Sequence, residues 1–430
     1  MQRDPVTSAK PSLRLGLALQ GGGSHGAFGW GVLHELLDAE TIEIAALSGT
    51  SAGAINAVVY ADGWLSRPDE PRRGAKDSLA RFWHLNTMAS AVLTGGMLHP
   101  SPWDMLHRDP TLKRNPLFLW FDLASRLFSQ YEFNGHANPL GYLLEHWYGL
   151  DAIRLRDPAA PLVFLTATDV ATGEAVVFDN GELTINAVLA SACLPTFVRA
   201  VEVKGRPMWD GGYSGNPALW PIVRHTDIDD ILIVQINPVD IDRPPQTARD
   251  IVNRIDEITF NASLLAETRS LERLNDVHLV IDELCAGLRE LDAASRKTVM
   301  TRLAKRMRMV EAARERSQRL RGLAHRWRIP HALMDLLATE PDDDRLDTRQ
   351  FEEHPLRPVA LHIIHGDDSL DRYDASSKFN TSFEFLHELF ELGRKKAREW
   401  LDRKLPLILA NRAEGLAVST FEPIAGLSGR

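Results

Sequence analysis

The sequence predicts an α/β protein, with a mostly parallel central sheet flanked by helices and a mainly α-helical C-terminal region. Up to about residue 240, short aliphatic runs alternate with helical patterns, and the runs are almost continuously apolar, as in strands covered on both faces. From Pro238 onward the chain is mostly helical and charged. The predicted strands are Leu13–Leu19, Ile44–Leu47, Leu162–Thr168 and Ile231–Asn237, with one late candidate at Val359–Ile364.

The chain of 430 residues has room for two domains, and the change of pattern places their boundary near residue 240. Residues 1–12 are predicted to be a disordered tail, 13–240 an α/β domain, and 241–430 a mainly helical C-terminal domain. The most apolar window, Leu117–Phe128, is too short to span a bilayer, and no export signal is evident. We therefore expect a cytoplasmic protein, soluble or peripheral to the inner membrane surface.

Composition and charge exclude several classes of protein. With 49 Lys and Arg against 58 Asp and Glu, the net charge is −9, which argues against a nucleic-acid binder with a wholly basic surface. The two cysteines, Cys193 and Cys285, provide neither a disulfide scaffold nor a CxxC metal site.

Six glycines lie within eleven positions directly after the first predicted strand, in the segment Gln20–Leu33. Backbone N–H groups at such a strand-to-helix turn can hold an anion, either a nucleotide phosphate or the oxyanion of acyl transfer. The span from Gly21 to Gly26 does match the dinucleotide pattern G-x-G-x-x-G. However, the second predicted strand ends in Ser48 and Gly49 instead of the acidic residue of a dinucleotide site, which favours acyl transfer. Glycines that serve only strand-to-helix packing are a further alternative.

The second predicted strand runs directly into Gly49-Thr50-Ser51-Ala52-Gly53, and an apolar helix follows. In this context G-x-S-x-G forms a sharp turn that holds the serine in a strained conformation at the carboxyl end of the sheet. Gly49 and Gly53 remove side chains that would clash in such a turn. Ser51 is therefore a candidate nucleophile, and the alternative is a turn of small residues with an idle serine.

A serine hydroxyl needs a neighbouring group that accepts its proton. Of the fifteen histidines, only His25 in the glycine loop has a suggestive setting. Asp210 opens the sequence Asp-Gly-Gly after a hairpin-like segment, where two glycines permit a tight turn. Both residues are candidate bases, and an ordinary turn at Asp210 is equally consistent with the pattern.

Taken in order, three motifs resemble those of the patatin-like phospholipase family: Gly21–Gly26, Gly49–Gly53 and Asp210–Gly212. The block Ala190–Pro195 is similar to the A-S-x-x-x-P block that precedes the aspartate in that family. The resemblance covers about residues 13–240. It extends weakly into the C-terminal region, through Asn261-Ala262-Ser263 and Ser377-Lys378-Phe379-Asn380, and implies no chemistry there.

The resemblance implies an α/β fold with a Ser/Asp dyad, no catalytic histidine, and no metal or organic cofactor. Ser51 would be the nucleophile and Asp210 the base of a serine acyl hydrolase that cleaves lipid carboxylic esters, of the phospholipase A or lysophospholipase type, through an acyl-enzyme. The other site residues it implies are the oxyanion-hole glycines Gly21, Gly22, Gly23 and Gly26, the elbow glycines Gly49 and Gly53, and the glycines of the aspartate turn, Gly211 and Gly212.

One position departs from the family pattern. The family usually has Arg or Lys where this chain has His25, and a neutral imidazole supplies less positive charge than Arg, although a protonated one could replace it in part. We interpret His25 as a residue that shapes the loop or faces substrate, with a direct catalytic role as the alternative.

Two segments lie outside the motifs. An aromatic-rich cap, about residues 85–150, is predicted to receive acyl chains or touch a bilayer, with ordinary core packing as the alternative; residues 118, 121, 124, 127 and 128 fit one helical face. The segment Arg296–Arg328 carries twelve Lys and Arg against two Glu and predicts peripheral contact with anionic membrane, unless it packs on its own domain. A rival function follows from this segment: a catalytically weak lipid-binding or scaffolding protein that uses the helical C-terminal domain.

Overall fold

The computed structural model describes residues 13–133, 138–241, 244–290, 358–366, 368–371 and 373–413, and the isolated positions 292, 295, 298 and 302. The predicted tail 1–12 and nearly all of the predicted basic segment 296–328 lie outside the described residues. Within them, no helix is long and apolar enough to cross a membrane.

A mixed, mostly parallel sheet forms the centre of the fold, in the order β5-β6-β3-β2-β1-β7-β8, with β4 paired to β3. Strands β2, β1, β7 and β8 run parallel to their neighbours, as does β3 to β2, whereas β4, β5 and β6 are antiparallel additions at one side. The strands are β1 Leu13–Leu19, β2 Ile42–Gly49, β3 Leu162–Asp169, β4 Ala175–Phe178, β5 Val201–Val203, β6 Arg206–Asp210, β7 Asp230–Gln235 and β8 Ala360–His365.

Helices cover the sheet, as the predicted fold class requires, and that prediction is confirmed. The helices of the first half are α1 Gly26–Leu36, α2 Ala52–Ser66, α3 Pro71–Leu93, α4 Pro102–His107, α5 Pro116–Leu127, α6 Gln130–Phe133, α7 Pro139–Tyr142, α8 Ile185–Ser191 and α9 Trp220–His225. Those of the second half are α10 Ala248–Glu290, α11 Asp368–Asp371, α12 Phe383–Arg403 and α13 Leu405–Ala413. A π-helical turn, Leu143–Tyr148, and 3₁₀ turns at Gly23–His25, Arg154–Arg156, Gly211–Tyr213 and Ala375–Phe379 complete the elements.

The C-terminal region contributes directly to the α/β core. The late predicted strand forms β8, which pairs with β7 in parallel along its whole length. Helix α12 places apolar residues at helical spacing, including Leu386 and Leu389, in the same hydrophobic core as β1 and α1. The division at residue 240 stays a prediction, but both the sheet and the core extend across it.

The cap region forms helices α4 to α7 and the π-helical turn. Asn115 begins α5: its side-chain oxygen accepts hydrogen bonds from the amides of Leu117 and Phe118, and Pro116 occupies the first turn. Of the predicted apolar face, Phe118 is buried, whereas Leu127 and Phe128 are exposed. The alternative of ordinary core packing is therefore wrong for these two side chains, which the structure leaves at the surface.

Helices α1 and α12 cross at a point where neither can carry a side chain. A β-carbon on Gly393 would overlap the carbonyl oxygen of Phe28, and one on Gly31 would overlap that of Phe390. Because backbone atoms cannot swing aside as a flexible side chain can, these glycines fix the distance between the two helices.

We expect Gly393→Ala to lower the free energy of unfolding by about 3 kcal/mol, because the added methyl group forces the two helices apart. Gly287→Ala is the matched control: that glycine also lies in a helix, but nothing lies within 4 Å of the added carbon. The control should gain up to about 1 kcal/mol from helix propensity. Urea denaturation of both variants tests this, and equal effects would show that the crossing is not tightly packed.

Candidate active site

Ser51 occupies a strained turn between β2 and α2. Its backbone lies at φ 54° and ψ −123°, a conformation that L-residues rarely adopt. A β-carbon on Gly49 would overlap the carbonyl oxygen of Gly53, and one on Gly53 would overlap that of Leu19. The two glycines thus permit a turn that holds the Ser51 side chain at the carboxyl end of β2, as the elbow prediction requires.

Neighbouring loops hold this turn from two sides. The Ser51 amide donates to both the carbonyl and the hydroxyl oxygen of Ser191, each at 3.1 Å. Ser191 lies at the end of α8, in the block that resembles the family's A-S-x-x-x-P segment, and its hydroxyl donates to the carbonyl of Thr166. On the other side the Thr50 hydroxyl donates to the Gly215 carbonyl at 2.6 Å. Several hydrogen bonds therefore hold Ser51 in its strained backbone conformation.

Asp210 ends β6 and is completely buried. Its amide donates to the Cys193 carbonyl at 2.8 Å, and its Oδ1 atom accepts a 2.7 Å hydrogen bond from the Gly212 amide. Burial raises the pKa of Asp210 to about 7, although hydrogen bonds from Gly212 and Ser51 oppose that rise. A carboxyl group with this pKa exchanges protons near neutral pH.

The Ser51 hydroxyl and the Asp210 carboxyl are close enough to interact, since a hydrogen bond from Ser51 lowers the pKa of Asp210. The side chain of Asp210 accepts its one hydrogen bond of ordinary geometry from the Gly212 amide, and its Oδ2 atom has no such partner within the described part of the chain. Loose contacts of this kind are common in active sites without substrate. The structure thus brings the two predicted dyad residues together.

The glycine loop lies against the serine turn. A β-carbon on Gly21 would come within 2.7 Å of the Ser51 β-carbon. The predicted set of four oxyanion-hole amides is too large, however. The Gly21 amide donates to Asn216 Oδ1 at 2.7 Å, and the Gly26 amide donates to the Gly23 carbonyl as α1 begins. Both amides are already used, which leaves those of Gly22 and Gly23.

His25 is buried, in surroundings that disfavour the protonated imidazole that could replace Arg in part. Burial, helped by the nearby Lys378, lowers the pKa of His25 to about 3. Its Nε2 atom lies 2.8 Å from the Ser377 hydroxyl, and its ring packs edge-on against Tyr373 and Phe385. These contacts favour the interpretation of His25 as a residue that shapes the loop.

A cavity of about 250 Å³ opens above Ser51, and we call it the catalytic cavity. Its lining includes Gly22, Gly23, Ser51, Tyr213, Asp256 and Lys378. A second cavity of about 380 Å³, the apolar cavity, is lined mainly by residues of α3, the cap and the loop after α8. The two cavities share the wall residues Leu194, Phe197 and Phe379.

Sequence reasoning missed the polar residues that arrange the glycine loop. Asn216 and Asn237 bind Gly21 on its two sides, through its amide and its carbonyl. Lys378 enters the catalytic cavity from the C-terminal region. The weak family similarity at Ser377-Lys378-Phe379-Asn380 is the one sequence feature that could have drawn attention to the lysine, but it implies no chemical role for it.

One group of potential metal ligands comes together among the described residues: His34, Glu35 and Asp38, at the end of α1. The Glu35 carboxylate is bound by Arg394 at 3.1 Å and by Arg398 at 2.9 Å. Because two guanidinium groups already neutralise it, we interpret this cluster as an ion-pair network between α1 and α12.

Comparison with known protein families finds one family model that matches part of this chain. The model of the family described as patatin-like phospholipase matches residues 17–221. No curated protein matches the chain. Among solved structures, the crystal structure of VipD from Legionella pneumophila is similar at 17% sequence identity and a TM-score of 0.30, over 64% of this chain and 56% of that chain. The chain therefore spans little more than half of VipD.

The raised pKa of Asp210 predicts how stability depends on pH. Between its unfolded pKa, near 3.8, and about 7, the folded state binds more protons than the unfolded state, so stability falls as pH rises through this window. Asp210→Asn removes the buried charge. We expect the variant to gain stability relative to the native protein as pH rises from 4 to 8, by on the order of 3 kcal/mol.

Urea denaturation at a series of pH values measures this difference. Asp69→Asn is the control, because it removes an exposed carboxyl group and should leave the pH dependence of the native protein unchanged. A stability difference between Asp210→Asn and the native protein that does not vary with pH would contradict the raised pKa.

Proposed function

Residues 17–221 form a patatin-like phospholipase domain, and from that premise we propose that the protein is a serine acyl hydrolase of lipid carboxylic esters, of the phospholipase A or lysophospholipase type, with Ser51 and Asp210 as a catalytic dyad. The observation that carries the proposal is the strained Ser51 beside a buried aspartate of raised pKa. Such strain persists only where the surroundings enforce it, and it is typical of functional positions.

In the proposed reaction Ser51 Oγ attacks the ester carbonyl while Asp210 accepts the hydroxyl proton. The carbonyl oxygen becomes an oxyanion, for which the amides of Gly22 and Gly23 are the available donors in the loop. The tetrahedral intermediate collapses, the alcohol leaves with the proton from Asp210, and Ser51 carries the acyl group. Water, deprotonated by the same aspartate, then attacks the acyl-enzyme, and the bond to Ser51 Oγ breaks as Asp210 returns the proton to that oxygen, which releases the fatty acid and restores the serine.

Asp210 suits the role of base better than any histidine of the site. A general base works best when its pKa is near the working pH, and burial brings the pKa of Asp210 to about 7. His25 is held by Ser377, and its pKa of about 3 makes the imidazole a weak proton acceptor near neutral pH. Its place on the Ser377 side of the loop supports a structural role.

The apolar cavity supports a lipid substrate. It lies behind the wall of Leu194, Phe197 and Phe379, and the rings of Phe197 and Phe379 pack 4.5 Å apart. A chain bound there leaves water for an apolar surface, which contributes about 0.8 kcal/mol per methylene group. We propose that it receives the acyl chain of the ester.

The outer face of the cap also supports action on lipids. Helix α5 lines the catalytic cavity with Phe118 and Asp122, while Trp120, Leu123 and Leu127 on its other side are more than half exposed. Exposed apolar side chains beside a cavity mouth are typical of surfaces that contact lipid aggregates. Contact of the basic segment 296–328 with anionic membrane stays a prediction.

We expect Ser51→Ala and Asp210→Asn each to reduce ester hydrolysis by at least ~10³-fold, because members of a dyad act as a unit. Turnover of a fluorogenic ester, together with fluorophosphonate labelling mapped to Ser51, measures this. Ser270→Ala and Asp69→Asn, at exposed positions, are the matched controls and should keep native activity. If Asp210→Asn keeps most of its activity, the aspartate is not the base.

The apolar cavity predicts a dependence on acyl-chain length. Met97 lines this cavity and is absent from the wall of the catalytic cavity. A larger side chain at this position should shorten the space for the acyl chain. We therefore expect Met97→Trp to lower kcat/KM for a long-chain ester about 10-fold, which corresponds to the loss of roughly two buried methylene groups. Activity on a butyrate ester should stay the same.

Met88→Trp is the matched control, because Met88 lies on α3 with 59% of its surface exposed. The ratio of kcat/KM for long-chain and butyrate esters should remain native in that variant. An unchanged ratio in Met97→Trp would place the acyl chain elsewhere.

A further inference from the structure

A short segment of the C-terminal region, residues 374–381, crosses directly over the glycine loop. The Ser377 hydroxyl lies 2.8 Å from His25 Nε2, which fixes the first turn of the loop. The same segment is tied to the cap: Asn380 donates to the Pro110 carbonyl, and Thr381 donates to the Leu98 carbonyl, both at 2.9 Å. The crossing segment therefore has little freedom to shift relative to the loop.

Lys378 contacts the loop with its backbone and with its side chain. Its carbonyl oxygen lies so close to Gly23 that a β-carbon there would overlap it, and Gly23 adopts φ 58°. Its ammonium group donates a 2.7 Å hydrogen bond to Asn237 Oδ1, and Asn237 Nδ2 donates in turn to the Gly21 carbonyl at 2.8 Å. One residue thus restrains the backbone on both sides of Gly22.

The side chain of Asn237 links the lysine to the glycine loop. Its backbone amide is held by Gln20 Oε1 at 2.7 Å, which fixes its main chain, whereas its side-chain amide lies between Lys378 and Gly21. Asn237 is almost completely buried. Without the ammonium donor, Oδ1 would be buried without its partner, and the amide would gain by turning away from Gly21.

The position of the ammonium group is unusual for a lysine. Among the described residues that line the catalytic cavity, Lys378 is the one lysine or arginine. Burial lowers the pKa of Lys378, while the nearby Glu257 and Asp256 raise it. An ammonium group that is partly withdrawn from water loses free energy of hydration, and Asn237 and the two nearby carboxylates compensate for that loss here.

We propose that Lys378 is a positioning residue of the active site: through Asn237 and through its own carbonyl it holds the glycine loop so that the amides of Gly22 and Gly23 face the substrate oxyanion. This inference rests on the proposed acyl-hydrolase function. It makes the C-terminal region a part of the catalytic machinery, although the family match ends at residue 221.

The test compares Lys378→Met, which keeps most of the side-chain volume but removes the donor, with Lys395→Met, an exposed lysine of α12. Misplaced oxyanion donors weaken an interaction that is made in the transition state, so we expect kcat on a soluble butyrate ester to fall ~10²-fold with KM little changed. The control should retain the native kcat and KM. Thermal unfolding of each variant shows whether it is folded.

A double-mutant cycle separates positioning from two independent losses. Asn237→Ala breaks the same link from its other end and should lower kcat to a similar extent. If Lys378 acts through Asn237, the double variant is no worse than either single variant, whereas independent effects would multiply to ~10⁴-fold. Asn237→Ala also keeps the inference testable if Lys378→Met does not fold, because loss of the link alone must then lower kcat without raising KM.

Three outcomes would overturn the inference: a folded Lys378→Met protein with native kcat, a loss that appears in KM alone, or multiplicative losses in the double variant. Failure of the proposed function looks different. In that case the native protein itself would neither hydrolyse the ester nor react with a fluorophosphonate at Ser51.

Discussion

Strands β1 and β2 are parallel neighbours in register, with Leu19 opposite Gly49, so the loops that follow them leave the sheet side by side. The glycine loop and the serine turn therefore pack so closely that side chains larger than those present would not fit between them. A β-carbon on Gly53 would overlap the Leu19 carbonyl, and one on Gly21 would approach the Ser51 β-carbon at 2.7 Å. This close approach explains why both motifs consist of small residues, and it brings the glycine loop next to Ser51.

The same packing explains the state of Asp210. Strand β6 joins the sheet next to β3, and Ala167 lies opposite Asp210 in their register, so the carboxyl group is carried into the interior beside the serine turn. The hydrogen bond from Gly212 and the nearby Ser51 hydroxyl do not compensate for the lost water, and the pKa rises to about 7. Under the proposed mechanism, function and stability are opposed at this residue: the burial that raises the pKa of the proposed base also weakens the fold at high pH.

Local motifs made part of this site predictable. Ser51 and Asp210 stand in contiguous stretches of small residues whose turn geometry depends on nearby sequence, and the structure places both in such turns. Whether a backbone amide of the glycine loop is free to bind an oxyanion cannot be predicted in this way, because it depends on partners that are distant in sequence. Nothing near Gly21 in sequence shows that Asn216 uses its N–H group, and nothing near His25 shows that burial keeps the imidazole neutral.

The strands show the same division between local and distant information. The apolar runs of β1, β3 and β7 were predicted to within two residues because buried strands have a local signature. Strand β8 was also found as an element, but its pairing with β7 joins residues more than a hundred positions apart, and composition alone suggested a separate domain. The periodicity of apolar residues thus identifies a strand, whereas the strand it pairs with is decided by tertiary packing.

The C-terminal region contacts the α/β core where the glycine loop leaves the sheet beside the serine turn. From α10, Asn261 accepts a hydrogen bond from Gln20, and Ser263 accepts one from the amide of Asn216, the residue that binds Gly21. From the crossing segment, Lys378 reaches the other side of the same loop. Because both supports converge on the residues around Gly22, the helical region and the loop geometry depend on each other, and a boundary at residue 240 would divide the supports of one site.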